Sequence, residues 1–125
     1  MSEAKANELE ERLLDFAVRI GKLVDSLPDT RMGKHIAGQL IRAGTAPAPN
    51  YGEACGAESK NDFIHKMGIV FKELRESRIW IRMVIKSELL PVKRMNAVLD
   101  ECEQLCNIIG KSLLTAKTNR SKRND

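Results

Sequence analysis

The chain is predicted to fold as an all-α protein, an antiparallel up-down four-helix bundle. Three observations carry that expectation. Apolar residues recur at steps of three and four along four separate stretches, the period of a buried helical stripe. Prolines and short polar clusters separate these stretches, and the short connections favour antiparallel neighbours. No stretch alternates apolar and polar residues as a half-buried strand would. At 125 residues the chain has the length of one domain. Aromatic residues make up only 4%, so the core must be mostly aliphatic.

The first helix carries Leu9, Leu13, Phe16, Ile20, Leu23 and Leu27 on one stripe, and Pro28-Asp29-Thr30 ends it. Asp29 or Thr30 can cap the second helix, whose stripe is Met32, Ile36, Leu40 and Ile41. Gly33, Gly38 and Gly44 weaken that helix but permit close approach of another backbone. Pro47 and Pro49 remove amide donors, which predicts a kink or break over residues 45–48 and a short restart with Pro49 near its first position. The third helix has the strongest signal. Ser59 caps it, with Asp62 three residues on. Phe63, Met67, Val70, Leu74, Ser77, Ile81 and Val84 form one stripe; Ile64, Phe71, Arg78 and Ile85 form a second beside it. Two stripes predict burial on two sides, inside the bundle and against another subunit. Pro91 starts the fourth helix, with Val92, Met95, Leu99, Cys102, Leu105 or Cys106, Ile109 and Leu113 inward. Residues 1–117 are expected to form the bundle. Residues 118–125, which lack an apolar partner, are expected to be a disordered basic tail.

Net charge is +4, and it is unevenly placed. Residues 3–15 are net acidic, whereas residues 60–86 and 111–125 are each net basic. Such a chain can hold polyanions, although a solvated face explains the same charges. No apolar run approaches the roughly 20 residues that span a bilayer. The N-terminus has no signal-peptide core, so a cytoplasmic location is expected. Cys55, Cys102 and Cys106 are an odd number of cysteines, which argues against a disulfide framework and favours reduced, buried thiols.

Catalytic chemistry finds little support. A di-iron bundle needs a glutamate from each of two helices and Glu-x-x-His from each of the other two. This chain has two histidines, and only Asp62-Phe63-Ile64-His65 loosely resembles that motif. No nucleophile elbow, zinc-protease helix or phosphate-binding glycine loop is present. Cys55 with His65, or Glu53, Asp62 and His65 together, would be the residues of a small enzyme, the lowest-ranked reading. No catalytic residue, metal or cofactor is expected. Asn50 with Glu53, and Glu73 with Glu76, each share a helix face. They make either a polar binding cluster or, preferred, a lock between the kinked helix and its neighbour. Trp80 with Arg78 and Arg82 could stack on a base, yet a lone tryptophan on an amphipathic helix is more often packing. The residues expected to meet nucleic acid are Lys60, Lys66, Lys72, Arg75, Arg78 and Arg82 on the third helix and Lys117, Arg120, Lys122 and Arg123 in the tail.

The run Gln39-Leu40-Ile41-Arg42-Ala43-Gly44-Thr45-Ala46, then Asn50-Tyr51-Gly52-Glu53-Ala54, then Ser59 through Lys66, resembles the four-helix bundle proteins encoded in 23S rRNA intervening sequences. Lys72-Glu73, Glu76-Ser77 and Trp80-Ile81 resemble that family's continuation along the third helix, while Pro47 and Pro49 depart from its usual pattern. The resemblance implies a homopentameric ring of bundles. It also implies a relation to the accessory proteins of diversity-generating retroelements, which bind a reverse transcriptase and nucleic acid. By resemblance, Asn50, Glu53, Asp62, Phe63, Lys66 and Glu73 are signature positions without a catalytic role. Two leading expectations follow. The first is a non-enzymatic homo-oligomeric scaffold binding structured RNA electrostatically. The second is an adaptor docking a protein partner such as a reverse transcriptase.

Overall fold

The structure, a computed structural model, describes residues 2–124 and the side chains of residues 2–121. Helix α1 spans Glu3–Asp25, α2 Arg31–Thr45, α3 Pro47–Cys55, α4 Lys60–Lys86 and α5 Val92–Asn124. Helices α2 and α3 are two halves of one arm, so the bundle has four arms. α1 packs on α2 and α3, these pack on α4, α4 packs on α5, and α5 closes back on α1 with the sparsest contact. The core runs through Leu13, Phe16, Ile20, Ile36, Leu40, Met67, Leu74, Ile81, Met95, Leu105 and Ile109, all fully buried. It is aliphatic, as the low aromatic content requires.

Each arm starts and stops for local reasons. Ser2 Oγ accepts from the Lys5 amide at 3.2 Å and caps α1, and Thr30 Oγ1 accepts from the Gly33 amide at 3.0 Å and caps α2. A Cβ on Gly33 would sit 2.1 Å from the Pro28 carbonyl oxygen, so only glycine lets the α1–α2 turn fold beneath α2. A Cβ on Gly44 would sit 2.8 Å from Ile20 side-chain carbons, so this glycine sets how closely α2 approaches α1. Ser59 Oγ accepts from the Asp62 amide at 3.0 Å and starts α4. α4 ends with Glu88 at a positive φ of 54°. There the Leu89 amide reaches the Val84 carbonyl and the Glu88 amide reaches that of Ile85, each at 3.1 Å.

The arm breaks at Ala46, inside the expected window. α3 restarts at Pro47 rather than Pro49, because Pro47 takes the first-turn place where a missing amide costs nothing. Several further details correct the sequence reading. Met32, Ile41 and Val92 are exposed, and Val98 rather than Leu99 is fully buried, one turn before Cys102. Cys102 and Cys106 are buried, but Cys55 is exposed at the end of α3. Part of the second stripe of α4 is covered within the chain. Ile64 is buried in the core, Phe71 and Ile85 are half-buried against it, and Arg78 pairs with α5. Helix α5 continues to Asn124 instead of yielding to a disordered tail at Thr118. Nothing in residues 111–124 breaks a helix, since neither glycine nor proline occurs there, and Arg120 Nη1 donates to Asn61 Oδ1 at 3.3 Å. The exposed large apolar side chains are Leu14 and Val18, one turn apart on α1, with Met32, Ile41, Ile79, Val92 and Leu114.

Candidate nucleic-acid interface

The polar residues of the α2–α3 arm and of α4 meet along one seam. Asn50 Nδ2 donates to Glu73 Oε1 at 2.9 Å. The Arg42 guanidinium pairs with Glu76, and Trp80 Nε1 donates to the same carboxylate at 3.1 Å. The His35 ring meets Trp80 edge-on at 5.6 Å. Farther along, Lys66 Nζ lies 3.7 Å from Glu53 Oε2. Burial pushes the Glu73 carboxyl pKa up, the Asn50 amide and Arg42 pull it back down, and Glu76 adds to the rise. Asn50, Glu53, Lys66 and Glu73 are thus joined in pairs across the two arms. Asp62 lies in the capped first turn of α4, and Phe63 is half-buried against the core beside it. This geometry makes the cluster a lock between arms. Trp80 belongs to it and faces α2, whereas Arg78 reaches Glu103 on α5 with Nε 3.7 Å from Oε2. The two therefore do not form one stacking platform.

The expected basic residues fall into two groups. Lys60 at the start of α4 and Lys117 and Arg120 near the end of α5 lie at one end of the bundle, brought together by the Arg120–Asn61 contact. Lys72, Arg75 and Arg82 are exposed along α4, with the Arg75 guanidinium 5.6 Å from the centre of the Phe71 ring. Lys66 and Arg78 are engaged by acids. The side chains of Lys122 and Arg123 lie outside the described residues. Two further lysines, missed in the sequence, complete the picture. Lys5 on the acidic first helix and Lys111 on α5 line a cavity of about 710 Å³ at the same end as Lys60. Lys111 also borders a groove of about 530 Å³ between α4 and α5, with Phe71, Arg75, Arg78 and Cys106. Only their placement in space groups these residues; Lys5, Lys60 and Lys111 are far apart in sequence and on three different helices.

His65 and Glu53 are exposed on their helices, and Asp62 is half-buried. Among the described residues no three His, Cys, Asp or Glu side chains converge as a metal-holding group. Among the same residues no helix is long and apolar enough to cross a membrane. The Cys102 thiol donates to the Leu74 carbonyl at 3.4 Å, a packing contact in the core.

A family model described as 23S rRNA-intervening sequence protein matches residues 5–111. Among solved structures, the chain is similar to a Bacteroides thetaiotaomicron VPI-5482 protein of unknown function from the S23 ribosomal protein family. The TM-score is 0.75 at 28% identity, covering 84% of this chain and 97% of that one. No curated protein matches the chain.

Proposed function

The chain belongs to the 23S rRNA-intervening sequence protein family, and from that premise we propose that it is a non-enzymatic, homo-oligomeric scaffold that binds structured RNA through charge. The observation that carries this reading is the set of cations left without acidic partners. Lys60 and Lys117 stand at one end, Lys72, Arg75 and Arg82 along α4, and among the described residues none has an ion pair. Most other basic groups at the helix seams are engaged, as Arg12, Arg42, Lys66 and Arg78 are. Unengaged cations on one end and one edge make a surface that recognises phosphate spacing and shape rather than sequence. Self-association draws on Leu14 and Val18, exposed one turn apart on α1, and on Ile41 of the neighbouring helix. A ring of subunits, pentameric by family resemblance, would repeat the basic surface and multiply a weak contact by avidity.

The test is fluorescence anisotropy of a labelled structured RNA titrated with protein, with oligomeric mass measured in the same buffer. Binding should weaken steeply with salt because each phosphate contact releases counterions. Paired substitution Arg75→Ala and Arg82→Ala should weaken binding to unrelated RNAs alike and flatten the salt slope by about one unit per lost contact. Absence of binding at low salt would overturn this reading. It would favour instead the adaptor reading, in which the exposed Leu14, Val18 and Ile41 face docks a protein such as a reverse transcriptase.

A further inference from the structure

We infer that the cavity where α1, α3, α4 and α5 meet is a nucleotide site, with a base on its apolar floor and a phosphate among its lysines. Where the nucleotide is an unpaired residue of an RNA, this inference rests on the RNA reading above. The cavity measures about 710 Å³, within the range of about 300–1,000 Å³ typical of small-ligand sites. Phe63 and Ile108 supply its apolar floor. Both are partly buried and packed on the core, so the floor is backed by fixed structure. Lys5, Lys60 and Lys111 rise around it from three different helices, and among the described residues none has an acidic partner within ion-pair distance. Against these three charges the lining holds one acid, Glu58.

The chemistry of the lining selects the class of ligand. Three ammonium groups favour an anion such as phosphate as point charges, without the fixed fork geometry of arginine. Lysines alone would hold any anion, but the floor adds apolar surface next to the charge. A planar ring joined to a phosphate satisfies both parts. Unstacked bases settle on aromatic side chains in single-stranded recognition. A paired duplex cannot offer a base to such a cavity, because its bases are stacked inside the helix; a bulged or terminal nucleotide can. The site would give a charge-driven scaffold a preference for RNA with extrahelical nucleotides, without reading their identity.

The experiment uses the full chain and three probes: a fully paired RNA duplex, the same duplex with one extrahelical 2-aminopurine, and free 2-aminopurine ribonucleoside monophosphate. The bulged duplex should bind about fivefold or more tightly than the paired one, with a change in 2-aminopurine fluorescence. Phe63→Leu, which keeps the apolar volume and removes the stacking face, and Lys111→Ala should each bring that preference towards one. Circular-dichroism melting checks that both variants fold. Arg75→Ala, on the flank of α4, should instead weaken both duplexes alike. Lysine-dependent binding of the free mononucleotide would support the site and identify a soluble nucleotide as a source. If the duplexes bind alike and the mononucleotide does not bind, the site is overturned while RNA binding stands. If neither duplex binds, the RNA reading falls; mononucleotide binding lost in Lys111→Ala would then keep the site, and its absence would overturn both.

Discussion

The seam between the α2–α3 arm and α4, and the seam between α1 and α5, are both bridged by polar side chains, yet they are built differently. The first is closely packed, and its polar groups meet across both arms: a carboxamide on a half-buried carboxylate at Asn50–Glu73, and a guanidinium, carboxylate and indole at Arg42, Glu76 and Trp80. The second is the sparsest contact between arms. There Arg12 reaches across to Glu101 through two hydrogen bonds of 2.7 and 3.2 Å, and to Gln104 at 3.2 Å. A cavity of about 260 Å³, lined by Lys5, Glu8, Leu9, Arg12 and Ile108, lies along this seam. The hydrogen bonds with Glu101 hold the Arg12 pKa up, against partial burial. Water can still reach this part-buried strut and replace either partner. In the packed seam the Arg42 and Glu76 side chains are themselves 54% and 30% exposed, so only the half-buried Asn50–Glu73 contact, whose carboxyl is partly desolvated, loses more when its partner goes. The number of polar contacts therefore says little about their energetic weight; the solvent left beside each of them decides it.

The largest effect is expected from Asn50→Ala. Alanine suits a helix, so the change removes only the amide facing Glu73. The expected loss is about 1–3 kcal/mol, the cost of leaving a desolvated acceptor unmade. Chemical denaturation would measure it. A double-mutant cycle on Asn50 and Glu73 should give a larger coupling than one on Arg12 and Glu101. Equal couplings would mean that packing does not separate the seams.

This contrast was only partly legible in the sequence. The stripes of Leu13, Phe16 and Ile20 and of Met67, Val70 and Leu74 announce buried faces because helical period and burial are the same physical statement. Asn50 and Glu53 could be assigned to a lock between the kinked helix and its neighbour, but the pairing of Asn50 with Glu73 depends on how the two arms pack. Nothing local announced Arg12–Glu101, whose partners are 89 residues apart and meet only once four arms close. Glu88 hid a left-handed helix end because its identity is not the usual glycine. The second stripe of α4 was legible only in part for a related reason. Periodicity shows that Phe71 and Ile85 seek cover, but not that Gly110 of α5 packs against the Phe71 ring. The basic end was half visible: Lys60, Lys117 and Arg120 stood out in basic runs. Lys5 is embedded in an acidic segment and was hidden by its neighbours.

A smaller effect at the packed seam depends on pH. Burial raises the Glu73 pKa in the folded protein. The folded state therefore disfavours its charged form, and the stability tied to this group is fullest below the unfolded carboxylate pKa. That stability is lost as pH rises through the folded pKa. Glu73→Gln keeps an acceptor for Asn50 and removes the charge. Relative to the unsubstituted protein, the variant should gain stability between pH 4 and pH 7. Paired denaturation curves at the two values would show it. A relative loss over that interval would mean that Arg42 outweighs desolvation at this carboxylate.

The smallest effect is expected at the open seam. Arg12→Met keeps most of the apolar stem and removes the guanidinium, so packing along α1 changes little. The Arg12 and Glu101 side chains are 30% and 21% exposed, which leaves room for water to solvate the abandoned carboxylate. The expected loss is under about 1 kcal/mol, as for ion pairs open to solvent. It should shrink further in high salt, because screening has already weakened the attraction that the substitution removes. A loss as large as that of Asn50→Ala, and insensitive to salt, would show that this strut is desolvated. The two seams would then differ in their chemistry alone.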